Sequence, residues 1–398
     1  MEQKLSSYFY KYREARDPRH VDVLDGVRAL CVGLVAWFHI WQQSWLFPKL
    51  FLAGEEISLS FLPSTGYIWV DGLLLLSGFL LYLPYAQAGD KLPRILPFYK
   101  RRLIRILPSY LLCVGFMFAL ALLEGKYLDL RMAGADLAAH LTFTFNLFPD
   151  TYFHTPINGA LWTLAVEMQF YLLFPFLARG FRRFPVLTYC LMAGGAFAFR
   201  FFAARQADTS MYFNQLPAFL DVYANGMAAA GVFAALRKKL GAQIDGRIKL
   251  FFTVLAVLCA WLILRLIQEQ ALLYDSADIR QGQMDRRFPF SLVLSCFMVC
   301  SCFSLAGWRF LLGNPLMRFF ASVSFQFYIY HQWLAVRLRS WGFPPSAEPE
   351  PWKTADYPWK LTFTLCCFFL ALLLAALLTY LFEQPIARRL RKKLKAER

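Results

Sequence analysis

The sequence predicts an all-α polytopic membrane protein, a bundle of about ten transmembrane helices with both termini in the cytoplasm. Three observations carry that reading. Apolar residues make up 58% of the 398 positions and charged residues 17%, against roughly 45–50% and 25% in ordinary globular chains. The mean hydropathy is +0.43, and the apolar residues gather into runs near the roughly 20 residues that span a bilayer. The 42 Lys and Arg residues are skewed to one side of those runs. A disordered chain and a typical soluble enzyme are both excluded.

Ten runs follow in order, near residues 27–47, 67–85, 103–123, 161–177, 185–202, 216–236, 250–264, 288–305, 319–336 and 361–381. An eleventh, 137–148, holds His140 and Asn146. Its twelve or so residues cover roughly 18 Å as a helix, too little for a hydrocarbon core of about 30 Å. It is read as a re-entrant or interfacial piece. The charge count agrees. With ten spans and the N-terminus inside, 29 Lys and Arg residues fall on the inner side and 13 on the outer side, as the positive-inside rule requires. Counting 137–148 as a span would move Arg179, Arg182 and Arg183 outside.

The chain therefore divides into a cytoplasmic N-terminal segment (1–20), a transmembrane unit (21–387) and a basic cytoplasmic tail (388–398). The first segment is too polar for a cleavable signal peptide. The formal charge of +16 sits in short loops and in the tail, where it faces an anionic leaflet. The partner it implies is the lipid bilayer; with no basic soluble module, nucleic acid is not expected. The nine cysteines lie within or beside apolar runs. They show no CxxC pair and no zinc-ligand spacing with histidine, so they read as small buried hydrophobes and no metal site is expected.

Ionisable groups inside a membrane are costly and need a reason. Arg28 and His39 are 11 residues apart, about three full helical turns, so they share one face and stand roughly 16 Å apart along the axis. Arg28 falls at the inner boundary and His39 near the middle, with Gln43 continuing the face outward. Arg102 and Arg105 open the third span at i, i+3 spacing and project from one side. With Arg28 they suit a cytoplasmic anion site, since guanidinium groups bind phosphate bidentately; as flanking charges they would merely orient the chain. Asp71, Glu167 and His331 fall at middle to outer depth, near His39. Interhelical pairing explains any one of them. Four at one depth suggest a polar cavity.

These residues sit in a series of motifs. Leu24-Asp25-Gly26-Val27-Arg28-Ala29-Leu30 with His39 following, Asp71 through Leu80 ending in Ser-Gly-Phe-Leu, and Arg102-Leu-Ile-Arg105 before Pro108 come first. The strings 161–171, Ser322 to His331, and Phe382-Glu383-Gln384-Pro385 complete it. In order and spacing the series resembles the acyltransferase 3 family of integral membrane O-acyltransferases. Thr163, Met168 and Leu73-Leu74 depart from the family pattern. Thr163 keeps a hydroxyl; the other changes bear on the shape of the acceptor pocket.

The resemblance implies a cell-membrane enzyme that moves an acyl group, usually acetyl, from acyl-CoA to a hydroxyl of a sugar, glycan or lipid-linked saccharide. Acetyl-CoA would be a co-substrate, with no permanently bound cofactor. His39 is implied as catalytic, and Arg28, Arg102 and Arg105 as contacts to the donor. A hydroxyl is a weak nucleophile at neutral pH, and histidine suits the role of general base; a transient acyl-histidine is the other route. Asp71 or Glu167 is expected to hold the imidazole in the needed tautomer. Gln43, Ser77, Trp162 and His331 are assigned to the acceptor side. A proton-coupled exporter or a lipid-linked-sugar flippase would use His39, Asp71 and Glu167 as a relay. The inverted repeats such a machine favours are not visible.

Overall fold

The computed structural model describes residues 21–52, 54–88, 93–241, 243–354 and 357–396. The segment 1–20 expected on the cytoplasmic side lies outside the described residues, as do the last two residues of the tail. The described chain is almost entirely helical. Its long helices are α1 (Asp22–Ser44), α2 (Trp69–Ala86), α3 (Ile95–Leu123), α4 (Leu130–Leu141), α5 (Trp162–Arg183) and α6 (Pro185–Ala203). After them come α7 (Leu220–Leu240), α8 (Gly246–Ala271), α9 (Ile279–Phe303), α10 (Pro315–Ser340), α11 (Tyr357–Leu378) and α12 (Gln384–Ala396).

Among the described residues, nine helical stretches are long and apolar enough to cross a membrane. The tenth expected span is α10. It has 26 residues, but Gln326, His331 and Gln332 make it too polar for that group. It tolerates them because it packs in the middle of the protein, between α1 and α11. The 137–148 run does not span. It breaks into the end of α4, a turn through Phe143 and a short 3-10 segment, Phe145–Leu147. The chain is thus a multi-pass membrane protein with an all-α bundle. A reporter fused after Arg183 is expected to read cytoplasmic, and one within 124–158 extracytoplasmic. The reverse result would turn the bundle over.

Burial sorts the helices by depth in the protein. The window of α2 and its lead-in turn is 78% buried, and that of α8 only 22%. The apolar side chains that α8 exposes, among them Leu250, Phe251, Val254 and Trp261, face lipid, where no free-energy cost attaches to them. The buried helices approach closely because small residues stand at the contacts. A Cβ on Gly78 of α2 would come within 2.7 Å of the Tyr223 carbonyl oxygen on α7, and one on Gly226 would strike the Leu75 carbonyl. All nine cysteines are free, and Cys190 and Cys296 lie exposed on the bundle's rim; those two are not the buried hydrophobes expected, because their helix faces turn outward.

Two features depart from the expected outline. α9 begins at Ile279, nine residues before the 288–305 run, so Arg287 lies within it. Arg287 is sheltered by protein and paired there. A two-stranded hairpin, β1 (Lys49–Leu52) with β2 (Glu55–Ser58), follows α1 with Leu50 opposite Ile57. Its side chains are exposed throughout, which leaves no burial alternation to read.

Candidate functional site

α3 is 29 residues long, about 44 Å, longer than a hydrocarbon core of about 30 Å, so its charged first turns project from that core, on the side the loop charges assign to the cytoplasm. Arg102 and Arg105 lie there and reach a cavity of about 770 Å³, which Arg28 of α1 also lines. Among the described residues none of these three guanidinium groups forms an ion pair. Arg102 is held by the Phe98 and Tyr171 rings, each centroid 5.6 Å from its guanidinium carbon, a cation–π geometry. The cavity's one carboxylate is Glu167. It accepts hydrogen bonds from Ser77 Oγ at 2.9 Å and from the Tyr171 hydroxyl one turn along α5. The lining thus holds three cations and one carboxylate, with Asp25 acting on Arg28 and Glu383 on Arg105 from outside it.

Beside it, α10 is anchored by a second set of contacts. Gln326 Nε2 donates to Ser109 Oγ at 2.5 Å and to Glu383 Oε2 at 2.9 Å. Glu383 ends a π-helical turn, Thr379–Glu383, so the widened turn delivers the closing motif's carboxylate to α10. Thr163 Oγ1 meets the Tyr328 hydroxyl at 2.9 Å, joining α5 to α10 on the cavity wall.

His39 pairs with His331. The distance from His39 Nδ1 to His331 Nε2 is 2.8 Å, although 292 residues separate them in the chain. His331 Nδ1 faces the Tyr328 carbonyl oxygen at 2.8 Å and that of Phe327 at 3.2 Å. Carbonyl oxygens only accept, so His331 Nδ1 carries a proton and its Nε2, in the neutral ring, is an acceptor. His39 Nδ1 must then be the donor. That leaves His39 Nε2 as the unprotonated nitrogen. It makes no hydrogen bond among the described residues, and it is not sealed from open space. The cavity wall reaches Val32 on α1 and Tyr328 on α10. The imidazole pair therefore stands beyond it, roughly 10 Å past Val32 and one turn past Tyr328.

The carboxylates expected near His39 lie elsewhere. Asp71 accepts from Arg287 Nε at 3.4 Å, and Arg287 also donates to the carbonyls of Phe213 and Ala218, each at 3.2 Å. Arg200 makes a bidentate pair with Asp221 at 2.9 and 2.6 Å and shares the Ala218 carbonyl. All four side chains are buried. This neutral cluster ties α2, α6, α7 and α9 together, and breaking it by removing one member would strand a buried charge. Glu167 serves Ser77 and Tyr171 instead of an imidazole. Among the described residues His39, Asp71 and Glu167 thus belong to three separate hydrogen-bond networks.

The four residues assigned to the acceptor side are also dispersed. Ser77 lies on the arginine cavity. Gln43 accepts from Arg339 at 3.2 Å. Trp162 stacks on Phe219 with centroids 5.8 Å apart, and His331 holds His39. Sequence reasoning missed Tyr171, although it stands one turn after Glu167, and missed Arg287, the second of two adjacent arginines at the head of an apolar run. Among the described residues no group of three His, Cys, Asp or Glu side chains is placed to hold a metal ion.

The fold and this interior define an integral membrane protein built around a polar core. Residues 21–381 match the family model described as an acyltransferase domain, and the chain belongs to that family, acyltransferase 3. It is also similar to O-acetyltransferase OatA of Staphylococcus aureus, in strains NCTC 8325, COL and MRSA252 among others. The identity is 29% over 179 residues, covering 42% of this chain. The chain spans about a quarter of the length of these relatives, 26%. No solved structure matches it.

Proposed function

We propose that the protein moves an acetyl group from acetyl-CoA, bound on the inner side, to a hydroxyl of a sugar, glycan or lipid-linked saccharide. Three unpaired guanidinium groups converging on one inner cavity carry this reading. CoA is a cytoplasmic polyanion, and its phosphates suit that cluster. Its pantetheine arm would run past Tyr328 toward His39. There the free Nε2 takes the proton of the acceptor hydroxyl as the oxygen attacks the thioester carbonyl. The carbon–sulfur bond breaks, and the CoA thiolate leaves with the proton held on His39. His331 positions His39, fixing the tautomer that keeps Nε2 basic. Membership of an acyltransferase family and the activity named for the OatA relatives support the same reaction.

The test is direct. Purified full-length protein in lipid nanodiscs is given labelled acetyl-CoA, and transfer or hydrolysis of the label is followed. Turnover is expected. A protein that neither binds nor consumes acetyl-CoA has another donor or another task.

A further inference from the structure

Arg179, Arg182 and Arg183 lie in the last turns of α5. As flanking charges that orient the chain they would be interchangeable, yet their contacts differ. Arg182 Nη1 donates to the Tyr85 carbonyl at 2.9 Å and to the Ala88 carbonyl at 2.8 Å. These oxygens stand at and just past the end of α2, where a helix leaves its carbonyls short of donors. Arg179 Nη1 donates to the Pro175 carbonyl at 2.8 Å, and its Nη2 to the Pro93 carbonyl at 3.3 Å, two residues before α3 begins. Both ends of the segment that joins α2 to α3 are therefore held by α5. Arg183 takes no part: its guanidinium carbon lies 5.2 Å from the adjacent Phe184 ring, and it makes no hydrogen bond among the described residues.

A third contact lies about two turns back along α5. The Tyr99 hydroxyl, in the first turns of α3, donates to the Leu172 carbonyl at 2.8 Å. Each partner adjoins a residue that holds Arg102. Phe98 precedes Tyr99, Tyr171 precedes Leu172, and the Phe98 and Tyr171 rings, 6.1 Å apart, flank the Arg102 guanidinium. α5 is weak at this point, because Pro175 has no N–H to offer the Tyr171 carbonyl. The Tyr99 bond ties that turn to α3.

We infer that Arg179, Arg182 and Tyr99 form a collar that locks the start of α3 to α5, and that Tyr99 is a positioning residue for Arg102. The first turns of α3 project beyond the hydrocarbon core, and a projecting helix end frays unless something holds it. Orientation in the membrane needs only charge, whereas the collar needs a guanidinium fork and a hydroxyl aimed at particular carbonyls. The lock stands on its own contacts; its bearing on the donor rests on the acetyl-CoA reading.

Full-length protein in lipid nanodiscs is compared by hydrogen exchange at residues 83–88 and 99–105 and by acetyl-CoA binding and turnover. Tyr99→Phe changes no charge. It should speed exchange at 99–105 and raise both Kd and KM for acetyl-CoA about twofold to tenfold, the range for one neutral hydrogen bond, with kcat nearly unchanged. Arg182→Ala and Arg183→Ala each remove one cation, but only the first should speed exchange at 83–88, while Arg183→Ala matches wild type. If Tyr99→Phe and Arg182→Ala both exchange as wild type does, or if Arg182→Ala and Arg183→Ala are alike, the lock is overturned. If exchange rises in Tyr99→Phe while acetyl-CoA affinity holds, the positioning role is overturned. If exchange rises in both variants but wild type itself binds no acetyl-CoA, the donor reading falls and the lock stands.

Discussion

Replacing His39 with alanine is expected to lower kcat for acetyl transfer by about 10²–10⁴-fold, with acetyl-CoA affinity and thermal stability nearly unchanged. Alanine is the best helix former, and the one hydrogen bond lost is that to His331. The companion variant makes the result specific. His331→Ala removes the acceptor that fixes the His39 tautomer, so kcat should fall while the donor KM stays put. His331→Gln offers an amide oxygen in its place and should recover part of the loss. Near-normal turnover in His39→Ala would remove the general-base assignment. Equal turnover in His331→Ala and wild type would remove only the positioning role.

Arg102→Ala and Arg105→Ala are expected to raise the apparent KM for acetyl-CoA. A charge-assisted hydrogen bond is worth about 1.5–3 kcal/mol, roughly 10-fold to 150-fold per arginine. Arg102, clamped between the Phe98 and Tyr171 rings, should show the larger loss, and Arg105, more open to solvent, the smaller. Lysine at either position supplies charge without the planar fork or the stacking, and should restore only part of the affinity. If their only task were to orient the chain, lysine would serve as well. A double lysine variant with wild-type KM would therefore dismiss a guanidinium site.

The spanning helices and the convergence of Arg28, Arg102 and Arg105 were legible from sequence because both rest on short-range periodicity. An i, i+3 pair at a helix start and an 11-residue interval along α1 fix directions before any helix is packed. Partnerships between helices were not legible. Asp71 and Glu167 looked like candidates to orient His39 because depth alone was visible, whereas the rotation of each helix about its axis decides what a side chain meets. Asp71 turns to Arg287, which falls just outside the 288–305 run. His331 was read at the right depth and given to the acceptor, since nothing local says that its ring faces α1.

The two buried ion pairs have unlike histories during synthesis. Arg200 and Asp221 are 21 residues apart and sit on consecutive spans, so they can meet as soon as the α6–α7 hairpin leaves the ribosome. Asp71 and Arg287 are separated by 216 residues. At roughly 5–20 residues per second, the carboxylate of α2 waits on the order of ten to forty seconds for its cation. A nascent chain stalled anywhere in that interval carries a stranded acid in its second span.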